Sequence, residues 1–126
     1  MIFYNSLSRK KEVFKPIDKK LITLYTCGPT VYDSPHIGNY RTFLFEDLLK
    51  RTLIASGFKV EHAMNITDID DKTIKASVNE NIDLKEFTKK YIKIFFDELK
   101  ILRILPADYY PRATKYISEM IAIIEN

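Results

Sequence analysis

The residue types most often used in catalysis and metal binding are concentrated in residues 24–39, which read LYTCGPTVYDSPHIGN. This stretch holds the only cysteine of the chain, Cys27, and one of its two histidines, His36. It also holds two of the three glycines, Gly28 and Gly38, which allow close approach of backbone to a ligand. An apolar segment precedes it and an apolar-faced segment follows it, and ligands of open α/β sheets bind at such strand–loop–helix junctions. We therefore predict the functional site here.

Cys27 admits three interpretations from the residues alone. A lone cysteine is commonly a buried structural residue. It could be a nucleophile, with His36 nine residues further on as the base. It could also bind zinc, which takes three or four ligands from Cys, His and carboxylates. Besides carboxylates the chain offers only Cys27, His36 and His62, without CxxC or HxxxH spacing, so we expect no complete zinc site within these residues.

Residues 36–39 (HIGN) place an imidazole just before a predicted helix. Free backbone amides and the helix dipole favour phosphate at such a position, and His36 could donate a hydrogen bond to a phosphoryl oxygen as negative charge develops. The alternative is that His36 only caps the helix. The glycines at 28, 38 and 57 build neither GxxxxGK[ST] nor GxGxxG, so a nucleotide would be held by another device.

A second polar cluster contains Asp68, Asp70 and Asp71. These carboxylates could hold Mg²⁺, but helix capping and solvated charge explain them more simply. Thr67 is the predicted cap of the helix that opens here, with Asp70 three residues on.

The elements that position these residues follow from apolar periodicity. Leu21–Thr26 is a continuous apolar run, which predicts a strand buried on both faces. Residues 38–56 have helical spacing of apolar residues, and Gly57 is a natural stop. Residues 59–66 alternate and predict a second strand. Strand, helix and strand predict a right-handed parallel βαβ unit. The apolar positions of the helix are Phe43, Leu44, Leu48, Leu49 and Leu53.

Residues 1–20 are predicted to be an N-terminal edge ribbon, with one strand at Ile2–Asn5 and another around residues 13–14, separated by a basic turn. Residues 21–126 are assigned to the first half of a Rossmann-type domain.

Residues 84–126 are predicted to be a helical segment. A long amphipathic helix should span residues 84–105 and end at Pro106, and the apolar stripe from Ala113 begins a last helix. That helix has no glycine or proline terminator, and two parallel strands leave a sheet edge open, so we expect the first part of a larger protein.

Composition fits one soluble folded domain. Hydrophobic residues make up 46% of the 126, charged residues 29%, and the net charge is +3, which permits a nucleic-acid partner without arguing for one. One cysteine cannot form an internal disulfide, and no apolar run approaches the ~18 residues of a membrane span. No signal peptide is evident, so we expect a cytoplasmic protein without membrane contact.

Several motifs taken together are more specific than any one of them. They resemble, in order and at natural spacing, the N-terminal part of cysteinyl-tRNA synthetase, and the resemblance spans essentially the whole chain. The matching segments are residues 27–33 (CGPTVYD), 36–39 (HIGN), 65–72 (NITDIDDK) and 111–114 (PRAT), with 4–12 (YNSLSRKKE) and 14–16 (FKP) near the start.

The resemblance implies an α/β fold, namely the N-terminal half of a Rossmann-type, HIGH-class catalytic domain of a class I aminoacyl-tRNA synthetase. Such a ligase condenses L-cysteine with ATP, with Mg²⁺, to cysteinyl-adenylate and then esterifies tRNA(Cys). A monomer is expected. His36 and Asn39 would bind ATP phosphates and support the transition state, with Gly38 leaving room for the adenine.

Cys27 matches the family's first zinc ligand, and Gly28, Thr30 and Thr67 match positions lining the cysteine pocket. The zinc there takes the substrate thiol as a thiolate, which would separate cysteine from serine. The remaining zinc ligands and the KMSKS loop of the family match nothing in this chain, so we expect these 126 residues alone to be inactive.

Two departures and two alternatives remain. Tyr40 and Glu46 stand where relatives commonly have a small residue and a phenylalanine. One alternative function is a ligase of the same lineage that joins cysteine to an amino sugar. The other is a truncated, non-catalytic homologue that acts as a binding module.

Overall fold

A computed structural model describes residues 1–18 and 20–125 of the chain. Residue 19 of the predicted edge ribbon and residue 126 of the predicted helical segment therefore lie outside the described residues. The described part is an α/β structure with two small sheets. Its elements in chain order are β1 (Ile2–Asn5), β2 (Lys10–Val13), β3 (Leu21–Thr26), α1 (Ile37–Ala55), β4 (Lys59–Met64), α2 (Asp71–Glu80), α3 (Leu84–Ile101), a 3₁₀ turn (Ala113–Lys115) and α4 (Ile117–Ile124).

The first sheet is an antiparallel ribbon of β1 and β2, with Ile2 opposite Val13. The second strand of the ribbon was predicted around residues 13–14 but lies at Lys10–Val13. Lys10 and Lys11, which with Arg9 form the basic run predicted to be a turn, therefore belong to the strand. The turn is residues 6–9 and closes with Arg9 at φ 56°. The domain boundary predicted at residue 20 stays a prediction.

The second sheet pairs β3 and β4 in parallel, from Leu21 opposite Lys59 to Thr26 opposite Met64. Helix α1 connects these strands and packs on β4. The predicted parallel βαβ unit is therefore confirmed. It is the α/β arrangement expected of part of a Rossmann-type domain, and it puts the carboxyl ends of both strands at one edge of the sheet.

Burial along β3 corrects the prediction that both of its faces are covered. Ile22 and Thr26 are buried, whereas Thr23 and Tyr25 are exposed. Alternate residues of a strand point to opposite sides of the sheet, so one side of β3 packs inward and the other faces solvent.

Helix α1 also buries a different face from the one predicted. The prediction is confirmed at Phe43 and Leu53, which are buried. Leu44 and Leu48 are exposed, and the polar residues Glu46 and Lys50 are buried in their place. For Lys50 the reason is a partner across the fold, since its ammonium donates to the Pro106 carbonyl at 2.8 Å.

Helix α3 supplies more of the buried apolar side chains than any other element of the described chain. Four of the seven residues of its predicted apolar stripe are buried; the predicted stripe was Leu84, Phe87, Tyr91, Ile94, Phe95, Leu99 and Leu102. The helix ends at Ile101 rather than at residue 105, before the left-handed residue Arg103 (φ 55°). The four buried stripe residues are Phe87, Tyr91, Phe95 and Leu99.

The ends of α2 and α4 differ from prediction. Asp70, not Thr67, caps α2: the Asp70 carboxylate accepts from the Thr73 amide at 2.8 Å, while the Thr73 hydroxyl accepts from the Asp70 amide at 2.8 Å. The last helix was predicted from Ala113, but a 3₁₀ turn occupies Ala113–Lys115 and α4 begins only at Ile117.

Candidate functional site

A cavity of about 310 Å³ lies where β3 ends and α1 begins. Five of the seven residues predicted for the site line it, namely Cys27, Gly28, Thr30, His36 and Asn39. The two sequence segments that carry them, the loop after β3 and the first turn of α1, are brought together because the chain reverses between strand and crossover helix. The other two predicted residues, Gly38 and Thr67, are not among those that line the cavity.

Gly28 lies directly against Asn65, the residue that follows β4. Its amide donates to the Asn65 side-chain oxygen at 3.0 Å. A Cβ added at Gly28 would lie 1.8 Å from the Asn65 carbonyl oxygen, far inside van der Waals contact. Glycine is therefore required here for packing, and it lets the loop of Cys27 pass directly beside the end of β4.

Thr67 pairs with Thr30, which is one of the residues that line the cavity. Thr30 and Thr67 form an isolated parallel bridge, in which the Val31 amide donates to the Thr67 carbonyl at 3.2 Å and the Thr67 amide donates to the Pro29 carbonyl at 3.0 Å. This pairing extends the β3–β4 ladder into the loop and fixes the loop backbone.

His36 and Asn39 form a reciprocal cap on α1. The His36 Nδ1 atom accepts from the Gly38 amide at 3.0 Å, and the Asn39 side-chain oxygen accepts from the His36 amide at 3.0 Å. A neutral imidazole that accepts at Nδ1 carries its proton on Nε2. Capping was one of the two predicted roles of His36, and it leaves Nε2–H and the Asn39 amino group as donors for a ligand.

Cys27 is exposed at the end of β3, so it is not a buried structural cysteine. Its thiol makes a weak contact with the Gly28 carbonyl, with sulfur and oxygen 3.8 Å apart. Among the described residues no group of three His, Cys, Asp or Glu side chains could hold a metal ion. The chain therefore offers a zinc ion one thiolate donor, fewer than the three or four protein ligands such a site needs.

Lys72 and Tyr32 line the same cavity and were missed by sequence reasoning. The Lys72 ammonium lies 5.2 Å from the centre of the Tyr32 ring, within the range of a cation–π contact. Lys72 is the last residue of the 65–72 motif and the second residue of α2, so its place at the end of a recognised motif was the available signal. Lys72 is the residue of that motif that lines the cavity.

The aspartate cluster has structural roles in this fold. Both carboxylate oxygens of buried Asp68 accept from Thr114, at 2.9 Å from its amide and 2.7 Å from its hydroxyl. Asp70 caps α2. These contacts favour the structural explanation over a magnesium site.

Three buried polar side chains, Thr26, Glu46 and His62, lie outside the lining of the cavity. The Thr26 hydroxyl and His62 Nε2 are 2.9 Å apart. Burial raises the pKa of Glu46, and a hydrogen bond from Thr26 acts in the opposite direction. Burial, with the nearby Lys50 cation, lowers the pKa of His62, while the Asp108 carboxylate opposes that shift.

In the described part of the chain, none of the helices combines the length and apolar character needed to cross a membrane.

Comparisons with known proteins were made at the level of family, sequence and fold. A family model described as the tRNA synthetases class I (C) catalytic domain matches residues 13–126. Cysteine–tRNA ligases are similar in sequence: that of Chlamydia pneumoniae is 54% identical over 124 residues, covering 98% of this chain and 26% of the relative. That of Brachyspira hyodysenteriae is 53% identical over 125 residues, covering 99% and 26%.

In fold, the chain is similar to Mycobacterium tuberculosis methionyl-tRNA synthetase in complex with methionyl-adenylate, with a TM-score of 0.69 and 17% identity. The match covers 75% of this chain and 18% of that chain. This likeness supports the partial Rossmann-type architecture. The chain spans about a quarter of the length of the curated relatives it matches. By its match over 13–126, the chain belongs to the class I (C) tRNA synthetase catalytic domain family.

Proposed function

We propose that the full-length protein is a cysteine–tRNA ligase. It would activate L-cysteine with ATP and Mg²⁺ to cysteinyl-adenylate and pyrophosphate, and then transfer the cysteinyl group to tRNA(Cys). The observation that carries the proposal is the family match together with one cavity that gathers Cys27, Gly28, Thr30, His36 and Asn39. We further propose that it acts as a cytoplasmic monomer, and that residues 21–126 are the first half of its catalytic domain and residues 1–20 an edge ribbon.

The start of α1 is suited to the phosphates of ATP. With the cap hydrogen bonds in place, His36 Nε2–H and the Asn39 amino group are donors at a helix N-terminus, where the dipole favours anions. Donors fixed before the reaction stabilise charge that develops on phosphoryl oxygens without having to reorganise. Gly38, in the same first turn, would leave space for the adenine.

The loop after β3 is suited to the amino acid. Gly28 and Thr30 would line the cysteine pocket, and Thr67 would act through its backbone pairing with Thr30. Cys27 would provide one zinc ligand, with the others from outside the described residues. A bound zinc ion would supply a soft acid that prefers a thiolate to a hydroxyl.

The test uses cysteine-dependent ATP–pyrophosphate exchange by the full-length protein. We expect exchange with cysteine and little with serine, and we expect Cys27→Ser to lower both the zinc content and the preference for cysteine. Thr88→Val, which removes a buried hydroxyl bonded within its own helix, is the matched control and should leave both unchanged. Absence of exchange by the wild-type protein would contradict the catalytic proposal and favour the non-catalytic binding module.

The metal assignment is tested separately by metal analysis. If Cys27→Ser retains a full equivalent of zinc, the assignment of Cys27 is wrong even where exchange is observed. The 126-residue chain assayed alone should show no exchange, because its described residues contain no group of three His, Cys, Asp or Glu side chains that could hold the metal.

A further inference from the structure

Lys72 is the only lysine or arginine among the described residues that line the cavity. We propose that the Lys72 ammonium binds the phosphate chain of ATP and stabilises the negative charge that leaves with pyrophosphate. This inference rests on the proposed function and adds a catalytic residue to it.

The donors at the start of α1 are neutral, so the cavity needs a cation to hold ATP. The His36 imidazole is neutral because its Nδ1 atom accepts from the Gly38 amide, and the Asn39 amino group carries no charge. The phosphates of ATP carry several negative charges. Hydrogen bonds with an ionised donor are roughly twice as strong as neutral ones, so the Lys72 ammonium supplies what the first turn of α1 lacks.

The Lys72 ammonium is available to an anion. The side chain is exposed, and no ion pair between described residues involves Lys72. Asp33 also lines the cavity, but its carboxylate accepts from the Ser34 amide at 2.7 Å. The ammonium lies over the Tyr32 ring, 5.2 Å from its centre. An aromatic face attracts a cation without neutralising its charge, so this contact holds the ammonium at the cavity and leaves it free to bind phosphate.

Hydrogen bonds to two other parts of the chain hold the segment that leads to Lys72. The Thr67 amide donates to the carbonyl of Pro29, a residue that lines the cavity, at 3.0 Å. Both carboxylate oxygens of buried Asp68 accept from Thr114, at 2.9 Å from its amide and 2.7 Å from its hydroxyl. The backbone that enters α2 is therefore fixed at two consecutive residues.

The first turn of α2 is fixed as well. Asp70 and Thr73 exchange two hydrogen bonds of 2.8 Å, and Thr73 is completely buried. Lys72 lies between these two residues, so its backbone position is set before a ligand binds. Charged groups that are positioned before the reaction stabilise developing charge without having to reorganise.

The proposed step needs positive charge at the leaving group. A carboxylate oxygen of cysteine forms a bond to the α-phosphorus of ATP, and the bond from that phosphorus to the oxygen that bridges to the β-phosphate breaks. The electron pair of the broken bond stays on the bridging oxygen, which leaves with pyrophosphate, and no proton is transferred. An ammonium at the β- and γ-phosphates is attracted more strongly as this charge grows, so it lowers the barrier as well as binding ATP.

The kinetic test removes the charge of Lys72 in the full-length protein. Lys72→Met keeps an unbranched side chain without the ammonium, and we expect kcat for cysteine-dependent pyrophosphate exchange to fall about 100-fold, with KM for cysteine within about twofold. Lys72→Arg keeps the charge and should retain most of kcat. Lys75→Met is the matched control: Lys75 is an exposed lysine one turn further along α2 and is not among the residues that line the cavity. Its loss should leave kcat unchanged.

Binding of inorganic pyrophosphate gives a second readout that does not depend on catalysis. We expect Lys72→Met to weaken this binding to the full-length protein by about 10-fold or more, the loss expected for one hydrogen bond between charged groups. Lys75→Met should bind pyrophosphate as the wild type does. Melting temperatures of both variants, measured alongside, separate loss of binding from loss of folded protein.

Three results would overturn the role of Lys72. The first is native kcat together with native pyrophosphate binding in Lys72→Met. The second is an equal loss in Lys72→Met and Lys75→Met, which would show that only the overall charge of α2 matters. The third is an effect of Lys72→Met confined to KM for cysteine, since Lys72 would then bind the carboxylate of the amino acid. Lack of exchange by the wild-type protein would instead refute the proposed function, and the pyrophosphate titration would then decide the role of Lys72 by itself.

Discussion

Replacing Gly28 with alanine is the sharpest steric perturbation that the structure offers. The new Cβ would lie 1.8 Å from the Asn65 carbonyl oxygen and 2.9 Å from Met64 Cγ. To reach 3.4 Å, where ordinary contact begins, the loop and the end of β4 must separate by about 1.6 Å. Backbone atoms make the closest contact, so no side-chain rotation relieves it.

A separation of that size should affect both stability and catalysis. Overpacking typically costs about 1–3 kcal/mol, and the loop that moves carries Cys27 and Thr30. We expect Gly28→Ala to lower the kcat/KM of cysteine-dependent pyrophosphate exchange by about 100-fold or more in the full-length protein.

Gly57→Ala is the matched control. Gly57 has φ 86°, so alanine there is strained by about 1 kcal/mol, but no atom lies within 4 Å of the added Cβ. It should lower the melting temperature without changing kcat/KM. Native kinetics in Gly28→Ala, or equal kinetic losses in the two variants, would refute the steric reasoning.

Three further predictions concern the cap and the buried charges. His36→Asn should keep the cap, because asparagine is a good N-cap, but should lose the Nε2–H donor; we expect a native melting temperature with about 100-fold slower exchange, whereas His36→Ala should also lose about 1 kcal/mol of stability. Because burial raises the pKa of Glu46, the folded state holds that proton more tightly than the unfolded state, and stability falls as pH rises from the ordinary carboxyl value through the folded pKa. Glu46→Gln should remove this fall, so the melting temperature of the variant relative to wild type should increase between about pH 4 and about pH 8. A difference in melting temperature that does not change with pH would contradict the raised pKa of Glu46. The hydrogen bond from the His62 amide, helped by Lys50, holds the pKa of Asp108 below its usual range, so its contribution is present above the unfolded value and is lost as pH falls through the folded pKa. Asp108→Asn should therefore destabilise the protein at neutral pH, and the difference in stability between variant and wild type should become smaller at acid pH. Melting curves of both proteins at neutral and at acid pH measure that difference.

The β-sheet was predictable because its pattern is local. The alternation of residues 59–66 correctly placed His62 and Met64 on the buried side. Phe43 and Leu53 of α1 were predicted to be buried, but the burial of Glu46 and Lys50 was not predictable, because these residues are polar. Lys50 bonds to Pro106, which is 56 residues away. Apolar periodicity cannot anticipate a buried face that hydrogen bonds determine.

In the candidate site too, residues of one local motif were predictable and residues brought in from distant parts of the chain were not. Cys27, Gly28 and His36 were identified from one continuous motif, since the elements on either side place that loop at the sheet edge. Lys72 reaches the same cavity from another helix, and no local pattern indicates which side of α2 faces the cavity. Thr67 was assigned to the pocket from the motif, and the structure adds that its backbone pairs with Thr30, a register that only three-dimensional pairing reveals.

The most direct test of the account is to ask which acceptor receives activated cysteine. Full-length protein is incubated with radiolabelled cysteine, ATP and either a tRNA(Cys) transcript or an amino sugar. The account predicts a base-labile cysteinyl ester on the 3′ end of the tRNA, dependent on ATP and absent with serine. Cysteine delivered to the amino sugar and not to the tRNA, or no transfer to either, would contradict it.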